Sequence, residues 1–336
     1  MIWTDIRDLR IEGQGWTDTK APFDRLPARA EGVVRDVVWD LSRHSAGLCV
    51  KFKTDAKEIQ ARWTLTLDRL AMSHMPATGV SGLDLYIETP DGPRWAGSGR
   101  PETLPDVEAV LISGMEDGEK SCTVYLPLYN GVSNVEIGVP EGASIVATER
   151  EADRKTILFY GTSITHGASA SRTGTCHVAR VGRALNCETI NLGFSGNGMM
   201  EPEVAHFLAE LHPDVFVVDC LPNMTADLIT ERAAYLVTTL RAKHPDTPIL
   251  LVEDRTYGDA QFVVSRRVRN ETSRKAFQDV YARLMADGVS GLHYLEGATL
   301  LGADGDDTVD GSHPTDLGFK RQADRFVEQI GQIMSV

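Results

Sequence analysis

The sequence predicts an α/β protein in two parts. An antiparallel, jelly-roll-like β-sandwich is expected over residues 1–150, followed by a three-layer domain with a parallel sheet over residues 151–336. Three observations predict it. The first half alternates apolar and polar residues with period two. The second half alternates short, wholly apolar runs with stretches of helical periodicity. Each residue equipped for chemistry in the second half follows one of those apolar runs. A chain of 336 residues, 42% apolar and 24% charged, is long enough for two cores.

In the first half, Ile59, Ala61, Trp63, Leu65 and Leu67 are interleaved with Gln60, Arg62, Thr64 and Thr66, the pattern of a half-buried strand. Leu83, Leu85 and Ile87 repeat it, and Cys122 to Leu126 and Val135 to Val139 read as further strands. Turn residues such as Pro90-Asp91-Gly92 separate them, and no long helix intervenes. All five tryptophans, Trp3, Trp16, Trp39, Trp63 and Trp95, fall here. Burial tendency favours sandwich core for them over a sugar-stacking platform. Past a short charged junction, Gly142 to Lys155, the pattern changes. Thr156 to Tyr160, Thr189 to Leu192, Val215 to Asp219, Ile249 to Val252 and Leu292 to Leu295 are runs suited to strands buried on both faces. Ala226 to Lys243, Ser265 to Ala286 and Thr315 to Met334 read as helices.

The net charge of −14 argues against nucleic acid or an anionic membrane surface as partner, since both need a basic face. Cys49, Cys122, Cys176, Cys187 and Cys220 are odd in number and lack metal-ligand spacing. They read as buried free thiols of a reducing, cytoplasmic compartment. The first residues predict no secretory leader, and no stretch reaches the roughly 20 apolar residues of a membrane helix.

The C-terminal Val309-Asp310-Gly311-Ser312-His313-Pro314 places a carboxylate three residues before a histidine, the pairing that orients a general base. Ser163 stands in Gly161-Thr162-Ser163 after the first parallel run, where a serine becomes a nucleophile if a base reaches it. The plain alternative is a turn and helix cap, and the Gly-x-Ser-x-Gly elbow is absent because Thr165 takes its last position. Gly193 after the second run could present a backbone N–H to an oxyanion, or simply form a glycine-rich turn. Ser195 beside it is a second serine to weigh. Asn223 after the third run offers an amide donor, with helix capping as its alternative.

In order, Gly161-Thr162-Ser163-Ile164-Thr165, Gly193, Asn223 and Asp310-Gly311-Ser312-His313 resemble the blocks of the SGNH (GDSL-type) hydrolases, over about residues 155 to 335. Thr162 departs from the Asp of many members, and Pro222-Asn223-Met224 from their Gly-x-Asn-Asp. Gly82-Leu83-Asp84-Leu85-Tyr86 resembles the Gly-x-Asp-Leu-Tyr signature of a β-rich domain that precedes some SGNH domains. The resemblance implies a flavodoxin-like α/β/α domain with Ser163 as nucleophile, His313 as base and Asp310 as its orienting partner. Ser163 and Gly193 N–H groups and the Asn223 amide would form the oxyanion hole, with no metal or organic cofactor. The expected activity is hydrolysis of a small acyl ester, acetyl foremost, on a carbohydrate or other small molecule. An acyltransferase with the same triad and a carbohydrate-binding protein without catalysis are the other readings. His74, His166 and Arg255 are expected to line the substrate site, each with a structural alternative: an interdomain histidine, a loop residue, and a loop-ordering ion pair.

Overall fold

The computed structural model describes residues 1–335. The first ten strands are β1 (Ile2–Asp5), β2 (Arg10–Glu12), β3 (Cys49–Thr54), β4 (Glu58–Leu65), β5 (Leu83–Ile87), β6 (Arg94–Gly99), β7 (Asp106–Ser113), β8 (Lys120–Tyr125), β9 (Val132–Val139) and β10 (Ile145–Ala147). They build two antiparallel sheets, β1-β9-β4-β7 and β10-β3-β8-β5-β6, with β2 pairing to β3. Period-two alternation turns Ile59, Ala61 and Trp63 of the first sheet toward Val50, Phe52, Leu83 and Val124 of the second, giving one apolar layer between them. Two short helices interrupt this part, α1 (Asp36–Ser42) and α2 (Ala77–Val80).

The second part contains β11 (Thr156–Gly161), β12 (Glu188–Gly193), β13 (Val215–Asp219), β14 (Ile249–Val252) and β15 (Leu292–Leu295), all parallel, in the order β12-β11-β13-β14-β15. Its helices are α3 (Ser163–His166), α4 (His177–Ala184), α5 (Pro202–Leu208), α6 (Ala226–Lys243), α7 (Val264–Ala286) and α8 (Asp316–Met334). The strand order is the doubly wound 2-1-3-4-5 of flavodoxin-like sheets, whose ligands bind at the carboxyl ends where the order reverses, between β11 and β13. Leu158, Tyr160, Phe216 and Val218 pack against α5, α6 and α7 on one face. Ile157, Phe159, Val215 and Val217 pack against α4 and α8 on the other. Among the described residues no helix is long and apolar enough to cross a membrane.

The change of strand pattern near residue 150 is not a boundary in packing. Trp16, Leu26, Ala30, Val34, Val38 and Trp39 belong to the core beneath α5 and α6, and Tyr86, Tyr125, Leu128 and Tyr129 to the core beneath α4 and α8. Arg25 is buried in the same contact, donating to the carbonyls of Asn191 (3.0 Å) and Gly193 (2.9 Å) at the end of β12. Burial pushes its pKa down to about 9. The tryptophans therefore divide. Trp63 fills the sandwich as expected, Trp16 and Trp39 sit in the shared core, and Trp95 is 53% exposed. Period-two reasoning located Trp63; the segment from Trp16 to Trp39 lies in no strand, so its pattern did not reveal its partner.

Candidate active site

β11 ends at Gly161, where a side chain would strike the Thr165 hydroxyl and the Asp219 carbonyl. Thr162 is extended (φ −102°, ψ −159°) and its hydroxyl accepts from Ile164 N–H at 3.3 Å, capping the single turn of α3. Gly167 at φ 109° closes that turn, in a conformation that disfavours other residues. Ser163 thus becomes the first helical residue beyond the sheet. It is 7% exposed, and its N–H, like those of any helix's first turn, has no helical acceptor.

The loop from Asp307 to Thr315 folds back on itself through Val309 N–H to His313 carbonyl (2.9 Å) and Thr315 N–H to Asp307 carbonyl (2.7 Å). It carries His313 to Ser163, with Nε2 2.8 Å from the serine Oγ. Nδ1 lies 2.7 Å from Asp310 Oδ2. An ionised carboxylate only accepts, so Nδ1 carries the proton and Nε2 presents its lone pair to the serine hydroxyl. Asp310 Oδ1 also accepts the N–H groups of Ser312 (3.0 Å) and His313 (2.9 Å). Burial pushes the Asp310 pKa up, but the His313 ring and these two N–H groups outweigh it and hold it at about 2. Arg266 braces the loop from outside, donating to the Asp310 carbonyl (3.0 Å) and to Asp259 (2.7 Å).

Asn223 closes a short 3-10 turn after β13, and its Oδ1 accepts from Gly198 N–H at 3.2 Å. That bond uses the oxygen and leaves the amide N–H₂ for a ligand. Gly198 lies flush on Gly161 and Thr162, where a side chain would meet the Gly161 carbonyl at 2.2 Å, so Asn223 is tied to the backbone leading into Ser163.

Three expectations need correction. Gly193 is still within β12, and its buried N–H donates to Asn191 Oδ1 at 2.9 Å, so it is not free for an oxyanion. Its missing side chain serves packing instead, because a Cβ there would come within 2.2 Å of the His166 nitrogen. In the turn that follows, Gly196 is exposed at φ 71°, and its N–H has no protein acceptor among the described residues. His166 is fully buried, stacked on Tyr129 at 4.2 Å with Nε2 2.7 Å from the Leu128 carbonyl, and cannot reach a substrate. Burial also pushes its pKa well below that of a free histidine. Arg255 is 2% exposed and paired with buried Asp219, with Nε donating to Gln322 at 2.9 Å. It is a buried ion pair, not a substrate ligand.

His74 is the one looser candidate brought to the site; its ring centre lies 5.6 Å from that of His313. Ser195 lies beside the site without a base. Its hydroxyl accepts from Tyr129 O–H at 3.1 Å, and Tyr129 also reaches the Ser163 carbonyl at 3.4 Å. Tyr129 and Arg266 went unnoticed in the sequence, since nothing local marks a tyrosine or arginine whose partner is far along the chain.

A model of the GDSL-like lipase/acylhydrolase family matches residues 154–331. A model of the GxDLY N-terminus of SGNH-hydrolase-type esterases matches residues 1–145. No curated protein matches the sequence. A GDSL-like lipase from Bacteroides ovatus is 35% identical over 99% of this chain and 98% of its own, with a TM-score of 0.95. The salicylyl-acyltransferase SsfX3 of a tetracycline biosynthetic pathway is 17% identical over 100% and 98%, with a TM-score of 0.79. A family two carbohydrate esterase from Cellvibrio japonicus is 13% identical over 99% and 98%, with a TM-score of 0.63.

Proposed function

Because the chain belongs to the GDSL-like lipase/acylhydrolase family, we propose that it is a serine esterase that removes small acyl groups, acetyl foremost, from a carbohydrate or glycoside. The observation that carries this is the unbroken chain of hydrogen bonds Ser163–His313–Asp310, at 2.8 and 2.7 Å. His313 Nε2 takes the hydroxyl proton as Ser163 Oγ attacks the ester carbonyl. Asp310 stabilises the imidazolium that forms and keeps the ring in the productive tautomer. Charge developing on the carbonyl oxygen is proposed to be met by Ser163 N–H and the Asn223 amide, with the Gly196 N–H of the neighbouring turn, unpaired among the described residues, as the third donor. The imidazolium then protonates the departing alcohol. Water, deprotonated by the same histidine, attacks the acyl-enzyme and releases the acid.

The sugar part of the reading is supported by the likeness to carbohydrate esterases along the whole chain. His74 beside His313 is proposed to contact the alcohol portion. The five free, buried thiols support a reducing, cytoplasmic setting. The whole-chain likeness to an acyltransferase favours one second reading, in which a hydroxyl acceptor replaces water.

The test is turnover of p-nitrophenyl acetate, butyrate and octanoate and of acetylated sugars by wild type and Ser163→Ala. Wild type is expected to favour acetyl esters, with Ser163→Ala inactive. Equal rates in both would remove the nucleophile assignment, and acylated product on added sugar acceptors would select the transferase.

A further inference from the structure

We propose that Asp84, in the Gly-x-Asp-Leu-Tyr segment of β5, is a positioning residue for the active site, acting through Arg172 and Asp316 on the loop that carries His313. The proposal rests on the esterase reading of that site.

Asp84 lies on the antiparallel half and is completely buried. Its carboxylate nonetheless points across to the other half. Arg172 Nη1 lies 2.7 and 2.8 Å from its two oxygens, and Gly174 N–H donates to Oδ2 at 3.0 Å. Trp95 Nε1 donates to Oδ1 at 2.9 Å, and the Arg172 guanidinium lies over the Trp95 ring at 4.7 Å. This accounts for a half-exposed tryptophan that belongs to none of the three apolar cores.

The residues so held form the turn Ser171–Thr175, just after α3. The turn is bonded in its other direction to Asp316, the first residue of α8. Asp316 Oδ1 accepts Ser171 N–H at 3.1 Å and the Thr175 hydroxyl at 2.8 Å, and Oδ2 accepts the Ser171 hydroxyl. Asp316 stands three residues after His313, with Thr315 capping α8 between them. One polar path therefore runs from β5 to the start of the helix that anchors the base. A second contact runs parallel to it. Thr78 donates to the Ser171 carbonyl at 2.5 Å, and Gly79 lies so close to the Ala170 carbonyl that a Cβ would meet it at 2.2 Å. Those residues follow His74, whose ring sits beside His313.

A contact needed only to join the halves would be met at least as well by apolar side chains, because desolvation offsets most of what a buried ion pair gains. Directional bonds add orientation: they fix where the 171–175 turn stands, and so where α8 begins. The Ser163–His313 bond tolerates little displacement.

Asp84→Asn and Asp316→Ala, with Ser163→Ala as control, are compared at 25 °C by p-nitrophenyl acetate kinetics and by backbone hydrogen exchange. Each is expected to lower kcat roughly 10- to 100-fold with KM little changed. Amide exchange is expected to rise in residues 307–315 while the five parallel strands stay protected. Wild-type kcat and exchange in both folded variants would overturn the proposal, as would a loss of kcat with faster exchange throughout the chain. If Asp84→Asn does not fold, Asp316→Ala decides on the same readouts, since it cuts the path without leaving a buried charge unpaired. If wild type and Ser163→Ala are equally inactive on every ester, the esterase reading fails, and the exchange data alone judge the clamp.

Discussion

Asp310 does two jobs with two oxygens. Oδ2 takes the His313 ring N–H, and Oδ1 takes the N–H groups of Ser312 and His313. Asp310→Asn keeps an oxygen for one of these but not both, so the ring loses its tautomeric bias. The kcat of the variant is expected to fall by roughly 10³–10⁴ in steady-state assays, with the circular dichroism spectrum unchanged. The same residue sets a pH dependence. Its folded-state pKa of about 2 lies below the roughly 3.9 of an unfolded aspartate, so its stabilising contribution is complete above about pH 4 and is lost as pH falls through about 2. The stability difference between wild type and Asp310→Asn should therefore be constant from pH 7 to 4 and shrink below that. A difference that already shrinks by pH 6 would assign the effect to another group. Asn223→Ala removes one of the proposed oxyanion donors and is expected to lower kcat about 10²–10³-fold. It also frees Gly198 N–H from its acceptor, so a larger loss would mean that the Gly196 turn moves as well.

Asp219 ends β13, Arg255 follows β14, and Gln322 lies on α8, so their contacts tie three elements together near the turn that carries Ser163. Asp219 Oδ2 also accepts the Thr165 hydroxyl of α3 at 3.3 Å. Arg255→Met leaves a fully buried carboxylate without its cation, and chemical denaturation should show a loss of roughly 3–5 kcal/mol. A substrate-binding arginine would behave oppositely, raising KM at unchanged stability. The five parallel strands were legible because double burial forces continuous apolar runs: observed and expected limits agree to a residue or so. The same reading pointed to Ser163 and Asn223, which stand a few residues past β11 and β13, and to the Asp310–His313 loop, which lies well beyond β15 and just ahead of α8. It failed for Gly193, because the strand runs one residue further than its apolar run and engages that N–H. It failed for His166 and Arg255 because charge and ring chemistry suit a pocket and an interior equally. What decides between them is a partner, Leu128 or Asp219, that sequence order does not reveal.

At the scale of the whole molecule, the sandwich keeps its own apolar layer, but segments of the first half complete both cores of the parallel half, and this makes a prediction about unfolding. Trp16 and Trp39 pack with Leu158, Ile190 and Phe207 of the parallel half, and Tyr125 and Tyr129 with Ile157 and Ala179. If the halves were independent, each would unfold at its own denaturant concentration. The protein carries its own probes for this. All five tryptophans lie within the first hundred residues, whereas the long helices α6, α7 and α8 lie in the second half. Tryptophan fluorescence therefore reports mainly on the N-terminal half, and circular dichroism at a helical wavelength mainly on the C-terminal half. Coincident urea transitions are expected, because exposing the face of Trp16 and Trp39 would also uncover apolar surface of α5 and α6. For the same reason residues 151–336 alone should not fold to a stable monomer: that face would be left to water. Two separated transitions, or a stable isolated C-terminal half, would show that the shared core is a contact between finished domains. The active site would then owe its geometry to the parallel half alone, and Arg25, bonded to the end of β12, would be dispensable.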